Sequence, residues 1–137
     1  MKEMNHRLSQ LINGLSLNPP TTDKTINEVE EVFGIKFPCE YVDLMKITNG
    51  VEGKIGENSY IAIWQIENII QYNKGYAVEE FAPGLLIFGS DGGDTAYAFD
   101  TRDNSMPIVD VPFIGMDIEE ITYRGNTFIE FLEYLNR

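Results

Sequence analysis

The clearest pattern of hydrophobic and polar positions runs over residues 85–100. Residues 85–88 form a short, continuous apolar run, which is typical of a buried strand. Residues 94–100 alternate, so that large side chains share one face and small or acidic side chains the other. The four residues between them, Ser90-Asp91-Gly92-Gly93, have the chemistry of a tight turn. The pattern therefore predicts a β-hairpin that the rest of the chain covers.

Apolar residues that recur every three or four positions predict helices on both sides of this hairpin. The predicted helices span residues 2–15, 23–33, 40–48, 65–73 and 127–135. Thr22 is the expected N-cap of the second helix, and Gly34 is expected just past its end. Asn126 is the expected cap of the last helix.

Further apolar runs predict additional strands at residues 51–55, 60–64, 107–111 and 121–123. Residues 16–21 and 74–84 are expected to be irregular. These elements predict an α+β fold in which residues 1–137 form a single domain. We expect an antiparallel sheet of five to six strands, with helices at both termini and helices packed on one side.

Charge narrows the classes of partner. The 137 residues include 22 acidic and 10 basic side chains, which gives a net charge of −12. Binding to nucleic acid or to an anionic membrane needs a basic surface, so neither is expected. An acidic surface can steer a basic partner, although solubility alone also explains such a charge. The chain has no apolar run of membrane-spanning length and no signal-peptide core near its start, so we expect a cytoplasmic protein.

Catalytic chemistry finds little support in the residue types present. His6 is the one histidine and Cys39 the one cysteine, which leaves too few groups for a catalytic triad or a zinc site. The acidic residues around the central turn do not have the spacing of a calcium-binding loop, and no lysine follows Gly92-Gly93 as in a phosphate-binding loop. We therefore expect no catalytic residues, no metal, no cofactor and no enzymatic activity.

The order of several short motifs resembles the SUKH superfamily, the Smi/Knr-type domain, over roughly residues 22–136. The matching pieces are Gly34-Ile35-Lys36-Phe37-Pro38, Tyr41, Leu44, Thr48-Asn49-Gly50, Trp64, Pro83-Gly84-Leu85-Leu86, the hairpin of residues 89–100, and Phe128-Ile129-Glu130-Phe131-Leu132. Phe37 stands where the family usually has leucine. The resemblance implies a protein-binding role without catalysis. Many bacterial members look like immunity proteins that neutralise a toxin, and fungal relatives are linked to cell-wall assembly through protein–protein contacts.

The expected function is therefore that of an immunity protein, which binds a cationic toxin domain, in our interpretation a nuclease, and blocks substrate access. A regulatory protein–protein interaction module with an endogenous partner is the alternative, and an enzyme or small-ligand receptor is the weaker third possibility. The candidate partner-binding residues are Asp91, Asp94, Asp117, Glu119, Glu120 and Trp64. For each of them a structural role is the competing interpretation, namely turn bonding for Asp91 and Asp94, a solvated face for the others and core packing for Trp64. The sequence does not predict the oligomeric state.

Overall fold

The computed structural model describes the backbone of residues 2–137 and the side chains of residues 6–137. Its helices are α1 (Lys2–Leu11), α2 (Asp23–Phe33), α3 (Cys39–Ile47), α4 (Ile69–Gly75), α5 (Val78–Phe81) and α6 (Phe128–Leu135). Its strands are β1 (Ser16–Leu17), β2 (Val51–Ile55), β3 (Ser59–Ile63), β4 (Leu85–Ser90), β5 (Thr95–Asp100), β6 (Ile108–Pro112) and β7 (Thr122–Gly125). Two 3-10 turns lie at Ile66–Asn68 and Ile118–Glu120.

The strands form one antiparallel sheet whose spatial order, β1 to β7, follows the chain. The α+β class and the helices at both ends are confirmed. The expected number of five to six strands is wrong, because the sheet has seven. The missing strand is β1, in which Ser16 and Leu17 pair with the first residues of β2. Two residues are too few to show the alternation by which a strand is predicted.

The predicted central hairpin is confirmed, since β4 pairs with β5 from Leu85 opposite Asp100 to Ser90 opposite Ala96. The pairing shifts at a bulge between Ile87 and Gly89. A Cβ atom at Gly89 would lie only 2.3 Å from the carbonyl oxygen of Ala62 in β3. A glycine is therefore needed at this point of the hairpin, where two strands approach closely.

The first face of the sheet carries the larger core, beneath α1, α2, α3 and α6, and Ile69 at the start of α4 also belongs to it. Tyr97 and Phe99 point into it, as the alternation in β5 predicts. Their neighbours are aromatic: the rings of Tyr41 and Phe99 are 5.2 Å apart, and those of Tyr97 and Phe131 are 4.8 Å apart. Edge-on contacts of this kind suit the ring quadrupoles and hold the helices on the sheet.

The second face carries a smaller core, and here the expectation of helices on one side only is wrong. Val78 of α5 and Ala82 just after it pack on the small residues of the central strands, together with Met116 from the segment that follows β6. Residues 74–84 were expected to be irregular. A helix of four residues is only about one turn long, so it cannot show the repeated apolar positions by which helices are predicted.

Helix ends follow the capping rules, with two corrections. Thr22 caps α2 by accepting a hydrogen bond from the Thr25 backbone N–H at 3.2 Å, and Gly34 ends that helix with a φ of 67°. α1 ends at Leu11 instead of residue 15. The cap of α6 is Thr127 instead of Asn126, because the Thr127 hydroxyl accepts from the Glu130 N–H at 3.1 Å.

No helix in the part of the chain that the structure describes combines the length and the apolar character needed to cross a membrane.

Candidate functional site

The central turn is folded by one of its two predicted contact residues. Asp91 Oδ1 accepts hydrogen bonds from the backbone N–H groups of Gly93 at 2.8 Å and Thr95 at 3.2 Å. This is the Asx-type bonding that the structural interpretation of the turn anticipated. Asp94 lies exposed at the other end of the turn, and its carbonyl oxygen accepts from the Phe113 N–H at 2.9 Å. The Asp94 carboxylate is therefore the freer of the two charges.

Asp91 lines a cleft of about 510 Å³ with the tip of the β2–β3 hairpin. Tyr60 covers the turn here and donates a hydrogen bond from its hydroxyl to Glu52 at 2.6 Å. Burial raises the pKa of Tyr97 to about 12, and the nearby Asp91 carboxylate adds to the effect. Because Tyr97 belongs to the core of the first face, the Asp91 side chain lies toward that face.

Trp64 belongs to the second face, where it is half-buried against the smaller core. Its ring is 4.5 Å from that of Tyr72 and 6.4 Å from that of Phe113, and the Phe113 ring is 4.6 Å from that of Tyr76. These four rings form a continuous row, which we call the aromatic strip: Tyr72, Trp64, Phe113 and Tyr76. Tyr72 and Tyr76 remain 38% and 43% exposed, and Ile114 beside Phe113 is 88% exposed.

The remaining predicted contact residues follow the strip along the chain. The Asp117 carboxylate accepts from the Glu119 N–H at 2.9 Å and so caps the short turn that carries Glu119 and Glu120. All three side chains are exposed. Ile118 and Ile121, which flank these two glutamates, pack on the same core as Phe113. The three acids therefore stand around the second face.

The structure thus divides the six predicted residues. Trp64, Asp117, Glu119 and Glu120 belong to the second face, and the Asp94 backbone is tied to it through Phe113. The Asp91 side chain lies apart from them. Phe113 and Ile114 were missed, because residues 112–120 show no periodicity that assigns an element. Two adjacent large apolar side chains outside any predicted element are the one signal that the sequence offers.

A larger cleft, of about 600 Å³, lies between the end of α2 and the α4–α5 segment. Its floor is apolar, and its buried amide belongs to Asn73. The Asn73 amide nitrogen donates to the carbonyls of Ile69 at 2.8 Å and Ile87 at 2.9 Å, and its oxygen accepts from the Ile87 N–H at 2.9 Å. The Thr101 hydroxyl also donates to the Gly84 carbonyl at 2.6 Å, so the polar side chains in the interior of this cleft are used by the fold, and its charged groups, Lys74, Glu79 and Glu80, are exposed to solvent.

One buried carboxylate has a clear structural role. Asp100 accepts two hydrogen bonds from the Arg102 guanidinium, at 2.9 and 3.0 Å, and one from the Tyr123 hydroxyl at 3.1 Å. The arginine bonds, above all, lower the pKa of Asp100 below its ordinary value. Within residues 6–137, whose side chains are described, no three His, Cys, Asp or Glu side chains are grouped so as to hold a metal ion.

Comparison with known proteins identifies relatives of this chain. The family model described as the SMI1 / KNR4 family (SUKH-1) matches residues 20–134. The chain is also similar to the uncharacterized protein YnaB of Bacillus subtilis (strain 168), with 32% identity over 83 residues. That similarity covers 61% of this chain and 52% of YnaB, so the chain spans about half the length of this relative. The family match includes six of the seven strands and all of the aromatic strip.

Proposed function

Because the chain belongs to the SMI1 / KNR4 family (SUKH-1), we propose that it is an immunity protein that binds a basic toxin domain and blocks access to its substrate. We propose that it does so in the cytoplasm and as a single domain. The proposed mechanism contains no chemical step by this chain. A nuclease is the toxin class that suits best, since an active site that holds a nucleic-acid backbone must be cationic.

The observation that carries this proposal is the distribution of charge. The net charge is −12, and five of the basic side chains in residues 6–137 form ion pairs with carboxylates of the same chain. Ion pairs join Arg7 to Glu133, Lys36 to Glu30, Lys46 to Asp23, Arg102 to Asp100 and Arg124 to Asp110. The acids around the second face are exposed, which leaves an uncompensated negative surface.

The two kinds of residue on this surface would act at different stages of binding. Exposed acids such as Asp94, Asp117 and Glu119 would attract the toxin and raise the association rate, an effect that salt screens. Aromatic side chains such as Trp64 and Tyr76 would be buried at contact and would lengthen the lifetime of the complex. Occlusion follows when the cationic cleft of the toxin is covered.

The experiment is co-purification of the chain with the product of the neighbouring gene, made with an inactivated toxin domain. We expect a stable complex whose association rate falls steeply between about 50 and 200 mM salt. A complex with an endogenous regulatory protein, and none with the toxin domain, would favour the interaction-module alternative. No complex with the toxin domain at low salt would refute the immunity proposal.

A further inference from the structure

We propose that the aromatic strip is the surface that receives arginine side chains of the basic partner. This inference rests on the proposed function in one respect, namely that the partner is a basic protein. It goes further by naming the contact surface and the side chain that the surface fits.

The exposed apolar side chains of the strip are not required to cover the smaller core. The smaller core is closed by Val78, Ala82 and Met116, each of which is buried. Tyr72 and Tyr76 stand above it with about two fifths of their surface exposed, and Ile114 makes almost no contact with the fold. A contiguous apolar patch of this kind, rimmed by polar residues, is typical of a protein-binding surface.

The charges around the strip complement a cation. Residues 113–121 contain Asp117, Glu119 and Glu120 and no basic residue. Residues 64–81 contain three glutamates and one lysine, Lys74. The hydrogen bond from the Phe113 N–H to the Asp94 carbonyl also places the acidic turn next to Phe113 in the strip. The ring faces therefore lie in a negative field, which strengthens their attraction for a cation.

The chain does not fill this surface with its own arginines. Arg7, Arg102 and Arg124 form ion pairs with carboxylates elsewhere. Arg124 and Arg137 lie over the Tyr134 ring, with guanidinium carbons 5.1 and 3.9 Å from its centre. All four arginines of the sequence are thus engaged away from the strip, while one of the seven tyrosines already binds guanidinium groups in the proposed manner.

Arginine fits the strip better than lysine for a geometric reason. The guanidinium group is planar and weakly hydrated, so it can lie flat on a ring and still donate to a carboxylate at its edge. A lysine ammonium group is compact and strongly hydrated, and it loses more on leaving water. A row of rings bordered by carboxylates therefore discriminates between two cations of equal charge.

The test compares two amidated peptides of equal charge, hexa-arginine and hexa-lysine, at about 20 mM salt. Trp64 is the sole tryptophan, so its fluorescence reports binding at the strip itself. We expect hexa-arginine to change this fluorescence and to bind about fivefold more tightly than hexa-lysine. The substitution Tyr76→Ser should remove most of that preference and leave the affinity for hexa-lysine nearly unchanged.

The matched control is Tyr60→Ser, because Tyr60 is 40% exposed and lies next to acidic residues, but lines the cleft around Asp91 instead of the strip. It should keep the preference for arginine. If Tyr76→Ser is unfolded by circular dichroism, Tyr72→Ser replaces it with the same expected result. Equal affinity for the two peptides, or a preference that survives both strip variants, would overturn the inference. So would a dimer in sedimentation that Ile114→Asp dissociates, because a second copy would then occupy the strip.

Failure of this inference can be distinguished from failure of the proposed function. If the wild-type chain captures the toxin domain but binds the two peptides equally, the arginine-binding role of the strip is contradicted and the immunity proposal stands. If the chain prefers the arginine peptide through Tyr76 but does not bind the toxin domain, the immunity proposal fails and the arginine-binding role of the strip stands.

Discussion

The substitution Asn73→Ala tests the account of how the second face is supported. Strand β3 ends at Ile63 and pairs only with the second half of β4, so the first half of β4 has no neighbouring strand on the β3 side. The Asn73 side chain of α4 takes the place of a strand, because it bonds both the N–H and the carbonyl of Ile87 at 2.9 Å. This amide fixes α4, and therefore Tyr72 and Tyr76, against the sheet.

The size of the effect follows from the bonds that are lost. Alanine leaves two buried backbone groups of Ile87 without a partner, and each such group costs about 1–3 kcal/mol. The third bond, to Ile69, adds less, because that carbonyl also accepts within the helix. Since Asn73 borders the cleft beside α2, water can reach the vacated site. We therefore expect the free energy of unfolding to fall by about 3 kcal/mol, in the lower part of the range obtained by adding the costs of the two unpaired groups.

Urea unfolding measured by fluorescence and circular dichroism gives this free energy of unfolding directly. The matched control is Asn58→Ala, which removes an exposed asparagine from the β2–β3 turn and should change stability by less than about 0.5 kcal/mol. A loss below about 1 kcal/mol for Asn73→Ala, with an unchanged slope in urea, would refute the role assigned to this amide.

Three further predictions concern charge, pH and close packing. The double variant Asp91→Asn and Asp94→Asn should keep the thermal midpoint of the wild type, because asparagine retains the turn bonding. It should associate more slowly with a basic toxin domain at low salt, because two negative charges are lost. An unchanged association rate would show that both residues have only a structural role. Because the arginine bonds lower the pKa of Asp100, its contribution is present above the ordinary carboxyl pKa of about 4 and is lost as pH falls through the folded-state pKa. The stability gap between the wild type and Asp100→Asn should therefore be constant above about pH 5 and should narrow on acidification, whereas a gap that widened would contradict this. Gly89→Ala should lower the thermal midpoint, since its Cβ would lie 2.3 Å from a carbonyl oxygen, and the control Gly75→Ala, which meets nothing within 4 Å, should raise it slightly or leave it unchanged.

The central hairpin could be predicted from sequence because its two faces differ in size. Large residues at alternate positions of β5 enter the larger core, and alanines enter the smaller one. The family resemblance is confirmed by the family match, and its motifs prove to hold the fold together. Asn49, for example, accepts a hydrogen bond from the Ile66 N–H at 2.9 Å, and a Cβ at Gly50 would lie 2.5 Å from the Ile63 carbonyl oxygen.

The candidate site was less accessible to sequence analysis, because tertiary contacts assemble it. Trp64 follows β3, Tyr72 and Tyr76 come from the α4 segment, and Phe113 follows β6. None of these segments has a periodicity that indicates a shared surface. Acidic residues were predictable as candidates by charge, but only the folded turn separates Asp91, which bonds its own backbone, from Asp94, which stays free. Short elements such as β1 and α5 escape prediction for a different reason, since two and four residues are too few to show a periodic pattern.

We propose that this chain neutralises a basic toxin domain by binding to it. We would test this by the growth of bacteria that express the basic domain proposed as its toxin, with and without this chain in the cytoplasm. We expect the wild-type chain to restore growth and a folded Ile114→Asp variant to restore it less well. Arrested growth in the presence of abundant, folded wild-type chain would contradict the claim.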